Sequence, residues 1–179
     1  MAFTLENSSV AIPNGPMEIS IIQAYEDKGP YEGEGKDGLP YYLHNRRYQA
    51  KVEEFLGDDD EGTIEAYKTL GGPNPTFTFE LAVGDKFLDP ALAQELVDAI
   101  PEDNEERRDM VRRNIQTARQ KATQLLRCHA DDKGRDYPFA DLVDEMVGER
   151  YVIGLSSYTR KNSDRVEYNV NFNRLAEDG

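Results

Sequence analysis

The chain has 179 residues, 38% of them hydrophobic, with a formal net charge of −14. That length suits one domain, or one core carrying a large insertion, and is enough to bury a core without disulfides or a metal. No stretch approaches the roughly twenty apolar residues of a membrane span, and the single cysteine, Cys128, has no internal disulfide partner and no ligand partners at zinc spacing. Met1–Glu6 carries neither a basic region nor an apolar run, so the expectation is an unexported cytoplasmic protein without a membrane anchor.

In chain order, Met17, Ile19 and Ile21 alternate within Pro16–Glu26 before Ile22 and Ala24 switch phase. The pattern predicts a first strand with a bulge. Asp27–Gly38 is Gly-rich and charged and predicts a mobile loop. Leu39–Phe55, with Tyr41, Tyr42, Leu43, Tyr48, Val52 and Phe55, predicts a second strand, and Phe77, Phe79 and Leu81 a third. Between them lie the acidic Gly57–Gly62, a short helix expected over Thr63–Leu70, and the break Gly71–Pro75.

Asp89-Pro90 is a cap residue followed by proline at the first helical position, and opens a helix to about Ile100. Pro101 restarts a second helix, whose Met110, Val111, Ile115, Ala118, Ala122, Leu125 and Leu126 recur at helical spacing as one buried stripe. A third helix is expected over Phe139–Val147, with Gly148 as its left-handed stop. Then Tyr151, Ile153 and Leu155, and beyond the polar turn Arg160–Asp164 the residues Val166, Tyr168, Val170 and Phe172, alternate as a hairpin of two half-buried strands. Three strands, helix, two strands is the chain order of an oligonucleotide-binding barrel. The predicted fold is therefore α+β and mostly β: a single five-stranded OB-like domain over residues 1–179, with a helical insertion at about 89–147 between strands three and four.

A chain of this charge repels phosphate at long range, but its charge is segregated. Gly38–Lys51 contains no acid, and Glu105–Arg127 holds seven basic residues against three acids, while Asp58-Asp59-Asp60-Glu61 concentrates negative charge. Single-stranded nucleic acid is held by a basic groove with aromatic stacking faces, and Tyr41, Tyr42, His44, Arg46, Arg47, Tyr48 and Lys51 interleave both ingredients on the second strand. Alternation puts Tyr42, His44 and Arg46 on one face. Arg160, Lys161 and Arg165 lie where the loop between the last two strands of such a barrel meets ligand. Arg107, Arg108, Arg112, Arg113 and Arg119 of the second helix read first as a solvated face and second as a further phosphate-contacting ridge or a dock for the acidic loop of another subunit.

Other motifs fail on their context. Gly33-Glu34-Gly35-Lys36-Asp37-Gly38 matches a dinucleotide glycine pattern, yet it follows no apolar strand and opens no helix. The acidic run lacks calcium-loop ligand spacing. No nucleophile, base and orienting residue assemble, so no catalytic residue, metal or cofactor is assigned.

Asn14-Gly15-Pro16-Met17-Glu18-Ile19-Ser20-Ile21, Phe139-Ala140-Asp141-Leu142-Val143 and Gly148-Glu149-Arg150-Tyr151-Val152 through Val166-Glu167-Tyr168-Asn169-Val170 resemble small bacteriophage-type single-stranded DNA-binding proteins. The resemblance covers about half of the chain, mainly its ends. It implies a non-catalytic barrel that coats single-stranded DNA in phage replication or recombination, in the host cytoplasm, with a homo-oligomer and replication or recombination proteins as further partners. The tail Leu175–Gly179 departs from it, having only two acids and no terminal aromatic. The rival expectations are an acidic viral interaction factor that mimics DNA or inhibits a host protein, and a virion assembly protein.

Overall fold

The computed structural model describes residues 12–57, 75–159 and 166–177. Its strands are β1 (Gly15–Ala24), β2 (Lys28–Glu34), β3 (Pro40–Phe55), β4 (Thr76–Ala82), β5 (Arg150–Thr159) and β6 (Val166–Leu175). Between β4 and β5 lie α1 (Asp85–Leu88), α2 (Pro90–Asp98), α3 (Glu105–Cys128), α4 (Ala130–Lys133) and α5 (Phe139–Asp144). The protein is mostly β, with one antiparallel six-stranded sheet whose pairing runs β2-β3-β1-β5-β6 while β4 joins the other side of β3. None of the described helices is long and apolar enough to cross a membrane.

Two expectations need correction. Asp27–Gly38 is not simply a loop: Lys28–Glu34 forms β2, which continues the line of β1 along β3, from Lys28 opposite Asn45 to Glu34 opposite Pro40. Its side chains are almost all exposed, so the strand is made by ladder hydrogen bonds and not by an apolar face. Gly29 is needed in it, because its φ is +101° and a Cβ there would run into the Leu43 carbonyl. The sheet therefore has six strands instead of five. It is also not closed into a barrel, since no backbone ladder joins β4 to β6 among the described residues.

That open seam is filled by rings and by a helix. Phe77 meets Tyr168 at 5.3 Å between centroids, and Phe79 meets Phe172 at 5.8 Å. From α3, Lys121 donates to the Val170 carbonyl at 2.6 Å, and the Gln124 side-chain carbonyl accepts from the Phe172 N–H at 3.0 Å. Side chains thus satisfy the edge of β6 that a neighbouring strand would otherwise pair.

The core sits under this sheet. Met17, Ile19 and Ile21 of β1, Tyr48, Ala50 and Val52 of β3, and Tyr151, Ile153 and Leu155 of β5 are buried, as period-two alternation requires. The phase switch in β1 is a register shift between Ile21 and Gln23 that leaves Ile22 unpaired with β3 and exposed. Leu125 and Leu142 close the core from the helical side. A second cluster, Phe87, Ala93, Val97, Ile115 and Ala118, packs α1 and α2 onto α3.

The Asp89 cap is where the sequence indicates, whereas α3 starts at Glu105 and not at Pro101, and α5 ends at Asp144, short of the expected stop at Gly148. Asp89 accepts from the Ala91 and Leu92 N–H groups, and Asn104 accepts from Arg107 N–H at the start of α3. Gly148 has φ +96°, and its N–H donates to the Ile21 carbonyl at 2.7 Å, which ties the end of the helical block to β1. On α3 the expected stripe is buried at Ile115, Ala118, Ala122 and Leu125, whereas Leu126 is only partly covered and Met110 lies exposed. The short α1 and α4 are additions that no sequence pattern announced. The expected helix at 63–70, the acidic residues 58–61 and the break at 71–74 lie outside the described residues.

Candidate nucleic-acid interface

Along β3 the register against β4 is unbroken from Asn45 to Lys51, so alternate residues take opposite faces. Tyr42, His44, Arg46 and Tyr48 share the face that continues into the core. Tyr42 packs edge-on to Phe87 at 5.0 Å, with Lys86 over its ring, and burial pushes its phenol above the ordinary value. His44 Nε2 is 2.9 Å from Asp27 Oδ2. Arg46 Nε donates to Asp27 Oδ1 at 2.6 Å and its Nη1 to Asp144 at 2.7 Å. The guanidinium holds the Asp27 carboxyl below the usual carboxylate range. Arg46 is thereby a clamp between the sheet and α5, with both its partners on this chain.

Tyr48 cannot offer a stacking face from this position. It is fully buried, stacks on Phe79 at 5.5 Å and donates its hydroxyl to the Val143 carbonyl at 2.9 Å. Desolvation raises its phenol to about 12. The expectation that Tyr48 lines a groove is thus overturned: its phase on β3 turns it to the core.

The opposite face carries Tyr41, Leu43, Asn45, Arg47 and Lys51. Tyr41 is exposed, while Lys51 pairs with Glu53 at 3.2 Å. Leu43, Asn45 and Arg47 line an open groove of about 370 Å³ together with Lys28 and with Thr78 and Glu80 of β4. Its other wall is the β5–β6 hairpin, at Tyr158, Glu167 and Tyr168. Lys28 is bridged to Glu80 at 2.8 Å. Arg47 makes no ion pair among the described residues and acts on the Glu80 carboxyl only through its field. Sequence reasoning missed Lys28, Asn45 and Tyr158. Asn45 was legible as the residue two before Arg47, but Tyr158 is out of phase with Tyr151, Ile153 and Leu155, and Lys28 needed β2.

Arg160, Lys161 and Arg165, expected at the tip of the same hairpin, lie outside the described residues. On α3 three of the six arginines are held by this chain: Arg107 binds Asp37 at 3.1 Å, Arg108 donates to the Ile100 carbonyl, and Arg112 binds Asp109. Cys128 is half-buried and its thiol is pushed up to about 11 by desolvation, while His129 is buried against the Tyr151 hydroxyl at 2.8 Å. Among the described residues no three His, Cys, Asp or Glu side chains are arranged to hold a metal ion. No protein-family model, curated protein or solved structure matches the chain.

Proposed function

We propose that this protein holds single-stranded DNA without catalysis, on an oligonucleotide-binding fold opened at one seam. The observation that carries the reading is the groove between β3–β4 and the β5–β6 hairpin. In an oligonucleotide-binding barrel the second and third strands of the five, with the loops beside them, form the ligand face. The pairings of β4 with β3, β3 with β1, β1 with β5 and β5 with β6, with helices between β4 and β5, support reading β3 and β4 as those two strands. Within the groove, Arg47 supplies charge, Asn45 a polar edge and Tyr158 a ring. Glu80 and Glu167 offset much of the positive potential, so stacking and hydrogen bonding contribute more to affinity than phosphate neutralisation.

A second reading, an acidic protein-interaction factor, draws support from the pairing of Arg46, Lys51 and Lys28 with carboxylates. Retardation of a labelled single-stranded oligonucleotide at two salt concentrations separates the two. DNA binding requires a complex that weakens with salt, and Arg47→Ala should lower the slope of log affinity against log salt by about one phosphate contact. The absence of any complex at low salt would remove the DNA reading and leave the interaction factor.

A further inference from the structure

Between the β2–β3 hairpin and α1, α2 and α3 lies a crevice of about 100 Å³ that shares no lining residue with the groove. Phe87 and Leu96 contribute apolar lining, and Tyr41 and Met110 leave 45% and 38% of their surface in solvent at its sides. Arg107 and Asn114 are its polar members. Two large apolar side chains are thus exposed beside one cavity.

We propose that this crevice takes one unstacked base of the single strand held by the groove. The proposal rests on the DNA reading above and extends it to the helical block. Three observations select a base over other occupants. The volume admits a single flat ring and excludes a helix or an extended peptide. The Tyr41 ring and the Met110 thioether are the two partners that a π face favours. Asn114 offers both a donor and an acceptor, which match a base edge and would be left idle by a phenylalanine side chain. Arg107 uses one contact on Asp37 at 3.1 Å, and its remaining donors are available to an adjoining phosphate. Tyr41 at the crevice and Arg47 in the groove are six residues apart along β3, about 20 Å.

The test compares a dT oligonucleotide with an abasic sugar–phosphate chain of equal length, for the parent, Tyr41→Ala and Ala99→Phe. Ala99 is an exposed lining residue, so its replacement blocks the crevice without disturbing the core. Both variants should bind dT about tenfold more weakly, bind the abasic chain like the parent, and keep the parent's salt slope. Parental dT affinity in both variants would overturn the proposal while leaving the DNA reading intact. Equal binding of the parent to dT and to the abasic chain would overturn the proposal and, with it, the stacking ascribed to the groove. A parent that binds neither oligomer overturns both. Capture of a phenylalanine-bearing peptide, lost in both variants with dT affinity unchanged, would reassign the crevice to a protein partner.

Discussion

Tyr48 serves stability through a single hydroxyl. Because it is buried and donates to the Val143 carbonyl, Tyr48→Phe leaves that buried acceptor without its partner and should cost about 1 kcal/mol. Urea denaturation measures this, and oligonucleotide affinity should not move. Lys121 makes a pH-dependent contribution of the opposite kind. Its ammonium, desolvated against β6, titrates near about 8 in the folded chain instead of 10.5. Between those values the unfolded chain holds more protons on this residue, so Lys121 makes stability rise with pH through that window. Cys128 works against it above its ordinary value of 9.0, since a thiol raised to about 11 loses its contribution as pH climbs. The slope of stability against pH from 8 to 9 should therefore be lower in Lys121→Met than in the parent; identical slopes would show that the amine is fully solvated.

At the scale of elements, α3 joins the strands through one buried leucine and two polar side chains. Leu125 is fully buried, so Leu125→Ala should cost about 2–5 kcal/mol. Leu126, only partly covered, should cost less than half as much, and the exposed Arg113→Ala should stay within about 0.5 kcal/mol. Thermal unfolding of the three variants ranks them, and any other order would mean that the helix presents a different face. Gly84 makes a complementary point about α1. A Cβ there would collide with the Tyr42 hydroxyl and the His44 Cβ, so Gly84→Ala should displace the tyrosine from Phe87, with a loss of near-ultraviolet circular dichroism.

Elements with a strong local signal were legible, and those made by pairing were not. The Val166 to Phe172 alternation, the phase switch at Ile22 and the Asp89-Pro90 cap each carry their cause within a few residues. Lys28–Glu34 carries none, because an exposed edge strand needs no apolar period and takes its conformation from β3. The candidate site fared likewise. Alternation put Tyr42, His44 and Arg46 together, but it could not say which phase met the core while Tyr41, Tyr42 and Leu43 fill both. The partners that hold Arg46 are remote in sequence: Asp27 is 19 residues away and Asp144 is 98.

For the whole molecule the governing quantity is a charge of −14. Mutual repulsion among 35 acids destabilises the compact state, and salt screens it over roughly 8–10 Å at physiological ionic strength. Salt should thus raise the midpoint of urea unfolding while, on the proposed function, it weakens oligonucleotide binding. A midpoint that falls with salt would mean that the local ion pairs outweigh the net repulsion.

The central position of β1 carries a cost in time. It pairs with β3 through Phe55 but with β5 only from Arg150 onward, so during synthesis one of its edges stays without a partner while roughly a hundred further residues are made. At about 5–20 residues per second that interval is on the order of 5–20 s. Throughout it, Gly15–Ser20 is an open template for any extended chain nearby, and the vulnerable moment of this protein is its birth more than its mature life.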